Sequence, residues 1–156
     1  MKSLVGHETQ FCDGQPIEEG MIARFARSVG DDNPLYHDRR LAQESPYHGV
    51  IAPLTFVFEW NHHEALNVDE GGASIAGIPL PGRLLRGSNE YEFFQSLRPG
   101  DIITTSSRIG DVYQKKGASG ALVFIVCQSR YTNQQGELLG IQRATYILCP
   151  DLEVGQ

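Results

Sequence analysis

The sequence predicts an α+β fold of one domain, in which a long antiparallel sheet wraps around a central helix. Residues 52–66 supply the helix, because their first half is apolar on nearly every side and has to be covered all round. Residues 83–148 supply the sheet, because strand-like stretches alternate there with short turn sequences. A curved sheet that follows such a helix can cover it by wrapping around it.

The composition is that of a globular protein and excludes several function classes. The chain has 156 residues, of which 40% are hydrophobic and 21% charged, so it can bury one core but not two ordinary ones. Its net charge of −6 disfavours a nucleic-acid surface, which needs a basic face. Cys12, Cys127 and Cys149 are odd in number and widely spaced, which argues against a disulfide framework and against a metal clip.

Nothing in the sequence suggests a membrane span or an exported protein. The longest apolar stretch, residues 49–60, contains Glu59 and is shorter than the roughly 20 residues that a spanning helix requires. The first residues include no apolar run of leader length. We therefore expect a cytoplasmic protein.

The helical part of the chain precedes the sheet. Residues 18–29 carry apolar side chains at helical spacing, and Gly30 provides the usual stop. A second short helix is expected over residues 38–44. The central helix has Pro53 in its first turn, where proline is tolerated.

The sheet is expected as an antiparallel meander, preceded by a glycine-rich loop over residues 67–81. Alternation is clearest in the third strand, where the first half carries apolar residues on both faces. Turn formers separate the strands at Pro99-Gly100, residues 117–120 and residues 133–136. The predicted strands cover residues 83–97, 101–112, 121–133 and 138–148.

Two motifs carry a resemblance to a known family. Residues 25–38 read FARSVGDDNPLYHD and residues 48–53 read HGVIAP. They resemble the signature of the MaoC-like enoyl-thioester hydratases and dehydratases, in which a helix ends in Gly-Asp-x-Asn-Pro-x-His-x-Asp and a His-Gly pair opens the central helix. The later segments EYEFF (90–94), RPGD (98–101) and YTNQQGE (131–137) resemble the N-terminal-type dehydratase domains related to fungal fatty acid synthase. The resemblance covers almost the whole chain and implies the hot-dog fold.

The resemblance implies reversible addition of water to a 2-enoyl-thioester, carried by coenzyme A or by acyl carrier protein. Coenzyme A would enter only as part of the substrate, and no other cofactor is expected. The reaction needs a base that holds water beside C3 and hydrogen-bond donors that stabilise the developing enolate oxygen. We also expect a homodimer joined edge to edge, or a heterodimer with another hot-dog chain, because an open meander leaves an unpaired edge.

Carried over position by position, the resemblance assigns roles to several residues. Asp31 matches the catalytic carboxylate, and Asn33 matches the turn beside it. Gly49 matches the glycine whose N–H holds the thioester oxygen, so we expect the helix start from Gly49 to Ala52 to face the substrate. Tyr36 stands where the family has its catalytic histidine. A tyrosine with a pKa of ~10 is a poor base at neutral pH, although it can position a water.

Two hypotheses follow from this departure. In the first, the chain is a hydratase that uses Asp31 with His37 or His48 as the base. In the second, it is a catalytically silent acyl-thioester-binding subunit that pairs with a catalytic MaoC-like chain, since N-terminal-type domains often carry tyrosine and work beside a complete second domain. A thioesterase on the same fold is a third possibility, which the Asp-x-Asn-Pro and His-Gly motifs disfavour.

Other charged and polar groups have weaker patterns. Arg83 and Arg86, with Lys115 and Lys116, are the candidate cations for coenzyme A, and solubilising the surface is an equal alternative. Asn33 and Asp38 are expected to cap the turn and the helix that follow them. Residues 62–64 (HHE) lack the HExxH spacing, and Gly71-Gly72 lacks the lysine of a phosphate loop, so no metal site is predicted.

Overall fold

Long strands dominate the computed structural model, which describes residues 2–60, 68–69, 72–75, 78–80, 82–117 and 120–149. The α-helices are α1 (Glu19–Ser28), α2 (Arg39–Glu44) and α3 (Phe56–Glu59), and short 3₁₀ turns cover Lys2–Leu4 and Pro34–Tyr36. The strands are β1 (Glu8–Pro16), β2 (Val68–Asp69), β3 (Gly72–Ile75), β4 (Ile78–Leu80), β5 (Arg83–Phe93), β6 (Ile102–Gly117), β7 (Gly120–Thr132) and β8 (Leu138–Cys149).

The long strands form one antiparallel sheet in the order β1-β6-β7-β8-β5. The short strands β2, β3 and β4 form a separate small sheet. The predicted α+β class, with a long antiparallel sheet, is confirmed. Strands β1 and β5 are the two edges of the long sheet, so they are the strands on which another chain could pair.

All four predicted strands are present, with shifted ends. Strand β1 and the short strands β2 to β4 were not predicted. Strand β6 continues to Gly117 instead of ending at residue 112, and β5 ends at Phe93 instead of residue 97. Strand β1 has no clear alternation, because Asp13 and Gly14 interrupt it, and it exists through its pairing with β6. The predicted loop over residues 67–81 contains the short strands β2 to β4.

The central helix begins later than the sequence predicts. The predicted start at Ala52 is wrong, because the Ala52 N–H donates to the Leu97 carbonyl oxygen at 2.8 Å and α3 begins only at Phe56. The side chains of Phe56, Val57 and Phe58 are all buried, as expected for a helix covered on all sides. Residues 61–66 of the predicted helix lie outside the described residues.

Close packing of α3 against β8 fixes the helix on the sheet. A Cβ atom at Gly140 would lie 2.7 Å from Cζ of Phe58, so only glycine lets the ring approach the strand this closely. The Phe58 ring also contacts Tyr91, Phe93 and Tyr131, at ring-centroid distances of 4.6, 5.4 and 5.0 Å. Such aromatic contacts add to the stabilisation that burial provides.

The core has two parts. One is formed mainly by strands β3 to β8 and includes Ile109, Ile125 and Tyr146. The other, which we call the first part, lies beside the loops that carry the family motifs. The first part consists of Ile17, Ile22, Ala42, Val50, Ala52, Phe56, Val57, Phe58, Leu97, Ile103, Tyr131 and Leu139.

The described residues add three findings on the remaining expectations. Cys12, Cys127 and Cys149 are free thiols, and burial raises the pKa of Cys127 to about 12. No helix in the described ranges has both the length and the apolar character needed to cross a bilayer. These ranges also contain no group of three or more His, Cys, Asp or Glu side chains placed to hold a metal ion.

Candidate active site

The C-terminal end of α1 positions Asp31. Gly30 adopts a left-handed conformation with φ of 73°, and its N–H donates to the Arg27 carbonyl oxygen at 3.2 Å. The Asp31 N–H donates to the Ala26 carbonyl oxygen at 2.9 Å. These two bonds form the Schellman motif that commonly ends helices. Asp31 is therefore held at a fixed place directly after the helix.

Residues 30–38, which we call the aspartate loop, are held by their own side chains. The Asp31 Oδ1 atom accepts from the Asn33 N–H at 3.2 Å. The Asn33 Oδ1 atom accepts from the Leu35 N–H at 3.1 Å and caps the 3₁₀ turn. The Asp38 Oδ1 atom accepts from the Leu41 N–H at 3.0 Å and caps α2. The expected capping roles of Asn33 and Asp38 are confirmed.

Tyr36 lies beside Asp31, at the position where the family motif has histidine. Burial raises the pKa of the Tyr36 hydroxyl above its usual value, and the charge of Asp31 and a hydrogen bond to it raise this pKa further. Tyr47 also raises the pKa of Tyr36, and a hydrogen bond with Asn33 lowers it. The Tyr36 hydroxyl is therefore protonated at neutral pH, so it can donate to a water or to Asp31 but cannot act as the base.

The two candidate histidines lie in different places. His37 is exposed and lines a cleft of about 370 Å³ together with Arg27, Asp31 and Asp32. His48 is exposed and has a positive φ of 53°, and its backbone N–H donates to the Ser45 carbonyl oxygen at 3.0 Å. Of the two, His37 is the one that shares a cleft with Asp31.

Residues 48–52, which we call the glycine loop, are held by distant parts of the chain. The Gly49 N–H donates to the Ala42 carbonyl oxygen at 3.0 Å, and the Ile51 N–H donates to the Leu35 carbonyl oxygen at 3.3 Å. The Ala52 N–H donates to the Leu97 carbonyl oxygen at 2.8 Å. The N–H groups of Gly49 and Ala52, which the sequence predicts for the thioester oxygen, are thus already hydrogen-bonded within the protein.

The candidate cations for coenzyme A lie away from these loops. Arg83 and Arg86 belong to the first half of β5, and Arg86 lowers the otherwise raised pKa of the buried Tyr146. Lys115 and Lys116 lie near the turn between β6 and β7. The Lys115 Nζ atom lies 5.4 Å from the centroid of the Tyr113 ring, so its charge already has a partner. Their role in binding a carrier stays a prediction.

Comparison with known proteins agrees with this arrangement. A family model described as the FAS1-like dehydratase domain region matches residues 3–142. The chain belongs to this family. The predicted resemblance to MaoC-like dehydratases is thereby confirmed.

Individual relatives of this dehydratase-domain chain are distant. It is 28% identical over 139 residues to a probable enoyl-CoA hydratase alpha subunit of Thermomonospora curvata, covering 82% of this chain and 43% of that protein. It is 32% identical over 119 residues to a UPF0336 protein of Thermobifida fusca, covering 74% of each. The solved ChsH1-ChsH2 complex of Mycobacterium tuberculosis is 20% identical, with a TM-score of 0.73 and coverage of 97% of this chain and 93% of that chain. This last likeness shows the hot-dog fold.

Two residues of this dehydratase domain beside the motif loops were missed by sequence reasoning. Tyr47 lies close enough to Tyr36 to raise the pKa of its hydroxyl. The Nη1 atom of Arg98 lies 3.7 Å from the point where a Cβ of Gly49 would be. Tyr47 directly precedes the His-Gly pair and Arg98 opens the RPGD segment, so a search for polar residues flanking the quoted motifs would have found both.

Proposed function

We propose that this chain is one subunit of an enoyl-thioester hydratase or dehydratase, which adds water reversibly to a 2-enoyl-thioester. The observation that carries the proposal is the Tyr36 hydroxyl beside Asp31, with its pKa raised above the usual value. The pair can hold a water molecule through one acceptor and one donor, but it contains no imidazole to serve as the base. A base from another chain would complete the site.

A second hot-dog chain is the partner that this arrangement favours. The solved relative ChsH1-ChsH2 is a complex of two chains, and one relative is named an alpha subunit. Of the two sheet edges, β5 carries the exposed apolar side chains Leu85 and Phe93, and exposed Phe94 follows it. In contrast, the described exposed large apolar residues include none in β1. We place the partner on the β5 edge, where pairing would cover these side chains.

The substrate we propose is a 2-enoyl-thioester of coenzyme A or of acyl carrier protein. Arg86 lies on β5 seven residues before its end at Phe93, which is about 23 Å at roughly 3.3 Å per residue, and Arg83 lies farther from that end. Binding of a carrier phosphate there would leave the thioester free to reach the motif loops at the other end of the strand.

The experiment follows the absorbance of the conjugated thioester in short and medium 2-enoyl-CoAs. We expect no loss of absorbance with the chain alone, and loss once the product of a neighbouring hot-dog gene with a complete Gly-Asp-x-Asn-Pro-x-His motif is added. Tyr36→His should give the chain activity of its own, because it places an imidazole beside Asp31. If neither the partner nor Tyr36→His yields turnover with any enoyl-CoA, the proposal is wrong.

A self-sufficient enzyme is the second candidate, favoured by the cleft that His37 shares with Asp31 and Asp32. In that case the chain alone would be active, His37→Gln would remove the activity, and His48→Gln would leave most of it. Light scattering separates the assemblies: a stable homodimer at micromolar concentration supports this candidate, whereas a monomer that dimerises only with the second chain supports the first.

A further inference from the structure

We propose that the guanidinium of Arg98 stabilises the negative charge that develops on the thioester oxygen. This inference rests on the proposed function and names the group that the reaction needs at that oxygen. When water adds to C3, the electron pair of the C2–C3 double bond moves towards C1 and the thioester carbonyl becomes an enolate. A donor fixed next to that oxygen lowers the barrier more than any single other contribution in many enzymes.

The backbone donors expected for this task are engaged elsewhere. The N–H groups of Gly49 and Ala52 donate to the carbonyl oxygens of Ala42 and Leu97. Helix α3 begins at Phe56, beyond the glycine loop, and spans only four residues. Its dipole is therefore too short and too distant to replace them. The Arg98 side chain is a further source of positive charge beside the glycine loop.

Arg98 has its charge at the required place. Gly49 has φ of 151° and carries no side chain, and the one atom within 4 Å of the point where its Cβ would be is Nη1 of Arg98, at 3.7 Å. A single methyl group at Gly49 would therefore meet only this guanidinium at van der Waals distance. The glycine loop in turn contacts the aspartate loop through the Ile51 N–H and the Leu35 carbonyl oxygen. A thioester beside Gly49 would lie between Arg98 and the loop that carries Asp31 and Tyr36.

The backbone of Arg98 is held in a turn, which limits the places that its exposed guanidinium can reach. Its N–H donates to Oδ2 of Asp101 at 2.7 Å, and its carbonyl oxygen accepts from the Asp101 N–H at 3.1 Å. The preceding residue, Leu97, is 3% exposed, and its carbonyl oxygen accepts a hydrogen bond from the Ala52 N–H. The turn that presents Arg98 and the loop that contains Gly49 therefore form one unit.

Arg98 also has no carboxylate partner among the described residues, whose ion pairs are Arg39–Glu19, Arg40–Glu44, Arg108–Glu8 and Arg143–Glu92. The fork of N–H donors on a guanidinium suits an enolate oxygen and stays protonated throughout.

The step balances without any further reactant. The oxygen of water forms a bond to C3, and the proton it loses goes to the base that the proposed partner supplies. The enolate oxygen is held by Arg98, which gives up no proton. Return of the electron pair from the enolate to C2, which takes up a proton from the protonated base, completes the 3-hydroxyacyl thioester and regenerates the base.

The test uses acetoacetyl-CoA, whose enolate has its own ultraviolet absorbance, with the protein as purified together with its partner chain where it has one. Binding is measured by calorimetry and the enolate fraction by absorbance across a range of pH. We expect the wild type to bind the ligand and to enrich its enolate. Arg98→Met should bind within about threefold of the wild type but form at least tenfold less enolate, and Arg98→Lys should be intermediate. Arg130→Met, which removes an exposed arginine from β7, is the matched control and should behave as the wild type.

Hydration kinetics give a second readout. Loss of one such donor lowers kcat by about 10²–10³-fold in comparable sites. Arg98→Met should do so with KM changed by less than about threefold, whereas a merely structural role would change both together with the melting temperature. An unchanged enolate fraction in Arg98→Met overturns this inference and leaves the proposed function standing. A wild type that neither binds acetoacetyl-CoA nor hydrates an enoyl-CoA overturns both. Should Arg98→Met fail to fold, Arg98→Lys decides, because it keeps the charge and loses the fork.

Discussion

The two loops of the candidate site are held in place by different parts of the chain. In the aspartate loop, the hydrogen bonds of Gly30, Asp31 and Asn33 all reach partners within five residues. In the glycine loop, the N–H groups of Gly49 and Ala52 reach α2 and the turn after β5. The aspartate loop is thus a local structure that can form as α1 ends, whereas the glycine loop takes its shape only once the sheet is assembled.

The two loops therefore differ in what fixes the position of their functional groups and in whether those groups are free to bind a ligand. The carboxylate of Asp31 is presented by its own loop, so its place survives changes elsewhere in the fold. The N–H donors of the glycine loop depend on the surrounding elements, because the Gly49 N–H already donates to the Ala42 carbonyl oxygen in α2. Substitutions in the aspartate loop should therefore affect activity more than stability, and substitutions that disturb the glycine loop should affect both.

The largest effect is expected for Asp31→Asn in the active form of the protein. Loss of the carboxylate that holds and orients water should lower kcat by about 10²–10⁴-fold. The free energy of unfolding should change by less than about 1 kcal/mol, because the side chain is exposed and the amide oxygen can still accept from the Asn33 N–H. The control is Asp13→Asn, because Asp13 makes the same type of contact, with the Gln15 N–H at 2.9 Å, far from the site loops in β1. Equal activity of the two variants would remove Asp31 from the site.

Gly140→Ala should disturb the glycine loop through the helix that follows it. The new Cβ would lie 2.7 Å from Cζ of Phe58, so α3 has to shift away from β8. Such overpacking costs about 1–3 kcal/mol of unfolding free energy, measured by urea denaturation. Gly110→Ala is the control, because its Cβ would meet only the Val126 carbonyl oxygen, at an ordinary 3.7 Å. A Gly140→Ala protein as stable as Gly110→Ala would contradict the close packing of α3.

The same substitution placed in each loop should have different costs. Asparagine tolerates the left-handed region at Gly30, where φ is 73°, so Gly30→Asn should cost less than about 1 kcal/mol. Gly49 has φ of 151°, which side chains rarely adopt, so Gly49→Asn should cost about 1–3 kcal/mol and lower activity as well. Urea midpoints of the two variants give the difference, and equal costs would show that the glycine loop can relax.

The smallest expected effect is on protein stability at alkaline pH, and it comes from Tyr36 in the aspartate loop. Burial and Asp31 raise the pKa of folded Tyr36, so its contribution to stability is complete below the pKa of about 10 that an unfolded tyrosine has and is lost as pH rises through the folded pKa. Tyr36→Phe should therefore lose less stability than the wild type when the pH is raised above 10. Raised pKa values of Tyr131, Tyr146 and Cys127 contribute equally to both proteins. Identical alkaline slopes would mean that Tyr36 is not beside Asp31.

Elements that depend on local pattern were predictable, and those that depend on pairing were not. Helices α1 and α2 and strands β7 and β8 follow from spacing and turn residues, and their bounds agree with the prediction within one or two residues. Strand β1 was not predicted because its own sequence is a weak strand former and its partner β6 lies far along the chain. The start of the central helix was misplaced because the Ala52 N–H bonds to Leu97 instead of continuing a helix.

The order of residues was enough to predict the family, the α+β hot-dog fold and the tyrosine that stands in the histidine position near Asp31. The family and the place of Asp31 rest on a motif whose hydrogen bonds join residues a few positions apart. The fold class rests on the spacing of apolar residues and turn formers in residues 52–66 and 83–148, so the order of residue types is enough for both. The hydrogen bond of the Gly49 N–H and the position of Arg98 beside Gly49 could be seen only in the folded chain. Arg98 and Gly49 are separated along the chain by α3 and strands β2 to β5, so their approach depends on how those elements pack, and the Gly49 N–H reaches its acceptor only when the chain after α2 turns back to that helix.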